Sequence, residues 1–95
     1  MDIVISEEAV QWYKKELEIS HKETLRFFVR YGGVGGHIPG FSLGINIEEP
    51  NVIHTSTTVN GIQFFIEEDD AWYFADKDLV ISYDKEMDEP QFTYQ

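Results

Sequence analysis

The apolar positions near the start of the chain have the spacing of a helix. Ser6 can cap exposed backbone N–H groups, and Glu7 and Glu8 favour the positive end of a helix dipole. From residue 7 to about residue 19, apolar residues mostly recur three or four positions apart. The pattern predicts an amphipathic helix over this range, preceded by a short apolar lead-in at residues 2–5.

Most of the remaining chain has the two-residue alternation of β-strands. In the first such segment, residues 25–31, one face carries Leu25, Phe27, Val29 and Tyr31. Further strands are predicted at residues 41–47, 52–58, 62–66 and 79–83, with a weaker one at 91–94. The pair Asn60-Gly61 is typical of a type I′ hairpin, because both central residues of that turn need a positive φ.

A second, shorter helix of about two turns is predicted around the apolar residues 71–75. Four acidic residues at 67–70 precede it, and negative charge is favourable where a helix begins. Trp72, like Trp12 in the first helix, is expected to pack in the core. The order of elements predicts a single α+β domain over residues 1–95 that is mostly β. We expect a small antiparallel or mixed sheet, or a barrel-like sandwich, with one N-terminal helix and one short helix.

Length and composition indicate a folded protein. The 95 residues leave no room for two domains, and the aromatic content of 15% is too high for a disordered chain. The apolar runs are short, so no transmembrane helix is expected. No basic segment followed by a long apolar one occurs at the start, which predicts a protein without a secretory signal and a cytoplasmic location.

The chain is strongly acidic, with a formal net charge of −11 at pH 7. Nearly all of this charge lies after Gly33, where Lys77 and Lys85 are the only basic residues. A field of this sign repels phosphate groups, so we expect neither a nucleic acid nor a membrane as partner. It favours basic partners or cations, although such a charge also keeps a small aromatic-rich protein in solution.

The absence of cysteine excludes disulfides, cysteine nucleophiles and thiolate ligands for zinc or iron–sulfur clusters. His21, His37 and His54 have no metal-ligand spacing along the chain, and the acidic run 67–70 lacks the ligand pattern of an EF-hand loop. The sequence therefore predicts no catalytic residue, no cofactor and no metal site. His37 is the one candidate metal ligand that we keep for testing.

The segment between the strands at 25–31 and 41–47 is the candidate interaction loop. It contains five glycines in nine residues and consists of Gly32, Gly33, Val34, Gly35, Gly36, His37, Ile38, Pro39 and Gly40. It lacks the Gly-Lys-Ser/Thr ending of a phosphate-binding loop, and no helix follows it. Since loops of this kind often carry function, we predict that it contacts a protein partner.

Several short segments occur in an order that resembles the HesB/IscA family, the A-type proteins of iron–sulfur cluster biogenesis. Between about residues 3 and 92, the matching segments are ISEEAVQWYKKEL, LRFFVRYGG, FSLGI, NGIQFFIEED and LVISYD. The resemblance implies a small, mostly β HesB-like domain with a leading helix, and a tendency to form homo-oligomers.

The resemblance does not extend to the metal ligands. Val34 stands where the family has its first ligand cysteine, directly after the paired glycines. The family's C-terminal C-G-C would lie beyond Phe92, where this sequence has no cysteine. The chain therefore resembles a short, cysteine-less bacterial branch of HesB-like proteins, and the resemblance does not imply that it carries iron or a cluster.

Two functions stay open at this point. The first is a non-enzymatic HesB-like protein that acts through contact with an unidentified protein, near iron–sulfur assembly, using its acidic surface and the candidate interaction loop. The second is a small-molecule or divalent-metal binding domain in which His37 and nearby carboxylates are the ligands.

Overall fold

A computed structural model describes residues 1–33 and 36–95 and shows a mostly β protein with two helices. In chain order the elements are β1 (Ile3–Ile5), α1 (Glu7–Glu16), β2 (Glu23–Tyr31), β3 (Phe41–Ile47), β4 (Ile53–Val59), β5 (Ile62–Glu67), a short 3₁₀ helix (Glu68–Phe74), β6 (Leu79–Asp84) and β7 (Glu89–Tyr94). This content agrees with the predicted α+β class. Two residues of the candidate interaction loop, Val34 and Gly35, lie outside the described residues.

The strands form two open sheets rather than one sheet or a barrel-like sandwich. One sheet has the strand order β1-β6-β7, and the other has the order β3-β2-β5-β4. Both sheets are mixed, because β1 pairs with β6 and β2 pairs with β5 in parallel, while the other neighbours are antiparallel. The alternation of side chains predicted strands but not their neighbours, since parallel partners come from distant parts of the chain.

The apolar lead-in is a strand, which the sequence analysis missed. In β1, Ile3 pairs with Leu79 and Ile5 with Ile81, and Ile3 is buried. Three residues are too few to show an alternation. Only the pairing with β6 defines this strand.

The first helix begins as predicted but ends earlier. Ser6 caps it by accepting a hydrogen bond from the N–H of Ala9 at 3.2 Å. The helix ends at Glu16, and Glu18 has a positive φ of 54°, which belongs to the left-handed region that terminates helices. Because the chain turns there, Ile19 is buried without being part of the helix.

Aromatic rings from the helix and from both sheets meet in the core. Phe27 of β2 stacks on Phe64 of β5 with ring centroids 5.8 Å apart, and both are fully buried. Tyr13 of α1 and Phe92 of β7 each contact Phe27 edge-on at 5.9 Å. Complete burial of one such side chain stabilises the fold by about 2 kcal/mol. Burial also raises the pKa of Tyr13, so this phenol is neutral in the folded protein.

The Asn60-Gly61 pair forms the predicted turn, and the helices are short. The φ values of Asn60 and Gly61 are 52° and 79°, which confirms the type I′ turn between β4 and β5. Neither helix within residues 1–33 and 36–95 has the length and apolar character of a membrane-spanning segment.

Candidate functional site

Hydrogen bonds close the base of the candidate interaction loop. Gly32 donates its N–H to the carbonyl of Gly40 at 2.7 Å, and the Ser42 hydroxyl donates to the carbonyl of Gly32 at 3.0 Å. Gly32 and Gly40 have φ values of 96° and 88°, which glycine adopts without steric cost. These bonds hold the adjoining ends of β2 and β3 side by side.

His37 anchors the second half of the loop on aromatic rings. Its backbone N–H donates to the Tyr73 hydroxyl at 2.6 Å, and its ring stacks on Tyr94 at a centroid distance of 4.9 Å. A β-carbon at Gly36 would collide with the Phe41 carbonyl and the Tyr73 hydroxyl, so this close approach requires glycine. Burial, followed by hydrogen bonding and charge interaction with Tyr73, raises the pKa of Tyr94. The Tyr94 ring on which His37 stacks is therefore neutral.

Three aromatic side chains at the base of the loop, Tyr31, Phe41 and Trp72, form what we call the aromatic surface. Tyr31 and Phe41 are opposite each other on β2 and β3 with ring centroids 5.2 Å apart, and Phe41 contacts Trp72 at 5.5 Å. Tyr31 is 92% exposed and Trp72 is 56% exposed. Clustered exposed aromatic rings are characteristic of protein-contact sites, where Trp and Tyr provide much of the binding energy.

The structure corrects the sequence analysis at two of these residues. Tyr31 was assigned to the apolar face of its strand, but it lies at the end of β2, where the sheet is no longer covered. Trp72 was expected in the core, but in the 3₁₀ helix it is Tyr73 and Phe74 that are buried. Periodicity shows which side chains share a face of a helix or strand. It does not show how far along that face other parts of the protein pack against it.

The acidic run 67–70 has internal partners instead of forming one cation site. Glu67 accepts hydrogen bonds from two backbone N–H groups at 3.0 Å, Glu68 contacts the ring of His54 at 3.1 Å, and Asp70 pairs with Arg26 at 2.8 Å. Three of the four residues lie within the 3₁₀ helix, which begins at Glu68. The short helix and the acidic residues at its start therefore agree with the prediction, although the helix is of the 3₁₀ type. Asp70 joins this helix to β2 and Glu68 joins it to β4, whereas Glu67 precedes it.

The ion pair of Arg26 was missed by the sequence analysis. Its guanidinium donates to Glu48 and to Asp70, each at 2.8 Å, and the Arg26 and Asp70 side chains are only 22% and 12% exposed. Burial lowers the pKa of Arg26, but the hydrogen bonds and charges of the two carboxylates outweigh this effect and raise it. The pair ties β2 to the 3₁₀ helix that carries Trp72. In the sequence, the only indication of this pair was the position of Arg26 within a strand whose alternate residues are apolar.

The alternative function, a domain that binds a small molecule or a metal through His37, finds no support. Within residues 1–33 and 36–95, no group of three or more His, Cys, Asp or Glu side chains could hold a metal ion. The ring of His37 packs against Tyr73 and Tyr94, which explains its position without a ligand.

Comparisons with known proteins identify relatives of this chain. A Bacillus subtilis protein named Pyruvate dehydrogenase inhibitor is 46% identical over 95 residues, which cover 100% of both chains. An uncharacterized protein of Staphylococcus saprophyticus is 36% identical over 92 residues, 94% of each chain, and one of Staphylococcus epidermidis is 38% identical over 85 residues, 85% of this chain and 86% of the relative. No family model and no solved structure matches.

These findings correct the expected HesB/IscA membership and the expected role near iron–sulfur assembly. No family model supports that membership, and the relative that matches over its full length has the name of an enzyme inhibitor. The resemblance rested on short segments, and alternating apolar residues followed by glycines occur in many strand–turn–strand units. The chain belongs to the bacterial family that includes the Bacillus subtilis protein named Pyruvate dehydrogenase inhibitor.

Proposed function

We propose that this chain is a non-catalytic inhibitor of pyruvate dehydrogenase that acts by binding the enzyme. The observation that carries the proposal is its 46% identity to the Bacillus subtilis inhibitor over the whole of both chains. Because the alignment covers both chains completely, every residue position that the relative uses to bind its partner aligns with a position in this chain. Inhibition by contact requires a binding surface and no catalytic residues of the inhibitor's own.

The aromatic surface, together with the candidate interaction loop, is the contact site that we propose. Trp and Tyr side chains lose little conformational entropy on binding for the area that they bury. Trp72 lies on the 3₁₀ helix, which the Arg26–Asp70 pair fixes to β2. Tyr31 is the last residue of β2 and pairs with Phe41, the first residue of β3. A surface that is ordered before binding avoids part of the entropic cost of association.

The proposal involves a protein partner and no nucleic acid or membrane, since the net charge of −11 opposes both. It also places the protein in the cytoplasm with the bacterial enzyme. Self-association was expected only from the corrected resemblance and stays a prediction.

The proposal is tested by measuring pyruvate oxidation by pyruvate dehydrogenase purified from Bacillus subtilis, with increasing amounts of this chain. We expect a saturable loss of activity, with the Bacillus subtilis relative as the positive control. If the relative inhibits and this chain does not, even in large molar excess, the proposed function is wrong.

The contact site is tested separately with two variants of similar exposure. Trp72→Ala should weaken inhibition about 30-fold, the effect of removing a central hot-spot side chain. Ile47→Ala is the matched control, because Ile47 is 52% exposed and lies at the opposite end of β3 from Phe41. Equal inhibition by the two variants would place the contact elsewhere on the protein.

A further inference from the structure

A groove of about 430 Å³ runs between α1 and the β6–β7 hairpin and shares no residue with the aromatic surface. Glu8, Trp12 and Glu16 are four residues apart on α1 and line one side of it. Tyr83 of β6 and Asp88 of the following turn line the other side. The groove thus combines aromatic rings with carboxylates from two separate elements.

Hydrogen bonds to Asp88 fix the two aromatic side chains that line the groove. The Trp12 indole N–H donates to the backbone carbonyl of Asp88 at 2.9 Å, and the Tyr83 hydroxyl donates to the Asp88 carboxylate. The hydrogen bond to Asp88, followed by burial and by the charges of Asp88 and Glu8, raises the pKa of Tyr83 to about 12. Both rings are therefore neutral and held in place, so they can present π-electrons to a cation.

The charge of the groove is unbalanced. Its lining includes the carboxylates of Glu7, Glu8, Glu16 and Asp88 and a single ammonium group, that of Lys15. The protein's own Lys85 reaches the rim, with its Nζ 3.9 Å from Glu8, but both side chains are more than half exposed. Such an exposed contact contributes little to stability, so an incoming cation can replace it at low cost.

We propose that this groove binds lysine or arginine side chains of a basic segment on a protein partner. Carboxylates supply the charge complement, and the rings of Trp12 and Tyr83 supply the faces on which a guanidinium or an alkyl-ammonium group stacks. The groove extends along α1 from Glu8 to Glu16, about 12 Å, which suits about four residues of an extended peptide segment. The site does not depend on the partner being pyruvate dehydrogenase.

The test uses the full chain with Trp72→Phe, so that Trp12 is its only indole fluorophore. The probe is a capped six-residue peptide of alternating glycine and arginine, titrated at low salt while the emission of Trp12 is followed. A peptide with glutamine in place of arginine is the uncharged control. Spermidine is the third ligand, since it carries a similar charge without a peptide backbone or guanidinium groups.

Two double variants with the same loss of charge separate the groove from the general acidity of the protein. Glu8→Gln/Glu16→Gln changes the groove, and Glu49→Gln/Asp69→Asn changes exposed carboxylates outside it. We expect the groove variant to weaken binding of the arginine peptide at least about fivefold and the control variant less than about twofold.

Three outcomes would overturn the proposal. Equal weakening in the two variants would mean that peptide affinity depends only on the net charge of the protein and not on the groove. Binding that isothermal calorimetry detects without a change in Trp12 emission, or no binding by either measurement, would mean that the groove is not the site. Spermidine binding as tightly as the peptide, with the same dependence on Glu8 and Glu16, would mean that the groove is a site for small polyamines.

Discussion

Removal of the Asp70 carboxylate tests the role that the structure assigns to the Arg26 ion pair. In Asp70→Ala, the mostly buried guanidinium keeps only Glu48, whose side chain is 36% exposed. The Arg26 Nε is buried and has no hydrogen-bond partner among the described residues, so the variant adds further unpaired N–H groups to one that is already unpaired. Loss of a partner from a fully buried pair costs about 3–5 kcal/mol. With Glu48 still present, we expect the free energy of unfolding to fall by about 2 kcal/mol.

The measurement is urea unfolding followed by circular dichroism, in which the slope of the transition should stay constant while its midpoint falls. In a thermal scan, the same loss lowers Tm by roughly 10 °C for a protein of this size. Asp69→Ala is the matched control, since Asp69 is an exposed acid on the same 3₁₀ helix, and its change should stay within about 0.5 kcal/mol.

A double-mutant cycle then isolates the pair. In Asp70→Ala the guanidinium of Arg26 loses one of its two carboxylate partners, and Arg26→Met removes that guanidinium. The double variant Arg26→Met/Asp70→Ala should therefore be more stable than the sum of the single changes predicts, by at least about 1 kcal/mol. If the effects simply add, or if Asp70→Ala costs no more than Asp69→Ala, the pair does not fix the 3₁₀ helix to β2.

Further predictions concern the cap, the core, the loop and one tyrosine. Ser6→Ala should lower the free energy of unfolding by about 1 kcal/mol, because it removes the hydrogen bond to the first turn of α1; an unchanged urea midpoint would contradict this. Phe64→Ala should cost about 4 kcal/mol in the same assay, since this ring is fully buried, and a cost below that of Ser6→Ala would refute the assignment of the core. Gly36→Ala should cost about 2 kcal/mol and speed amide exchange at residue 37, because a β-carbon has no space against Tyr73; unaltered exchange would contradict the packing of the loop. In a spectroscopic titration, Tyr83 should ionise near pH 12, and Asp88→Asn should lower this pKa; no shift would remove the hydrogen bond to Asp88 as its cause.

The sequence by itself predicted the elements whose signals are local. The structure confirms the capping hydroxyl of Ser6, the positive φ of Asn60 and Gly61, and the strands β2 and β3. Each of these signals depends on neighbouring residues. The sequence also excluded thiol chemistry, because it contains no cysteine. The net charge follows from composition in the same way, and its negative sign favoured basic partners.

Only the tertiary structure decided which segments meet. The strand β1 exists because it pairs with β6, and the aromatic surface exists because the ends of β2 and β3 lie beside the 3₁₀ helix. The partners Arg26 and Asp70 are 44 residues apart in the chain, and no periodicity connects such positions. Long-range pairing depends on the free energy of the whole packed arrangement, whereas caps, turns and alternation depend on a few adjacent residues.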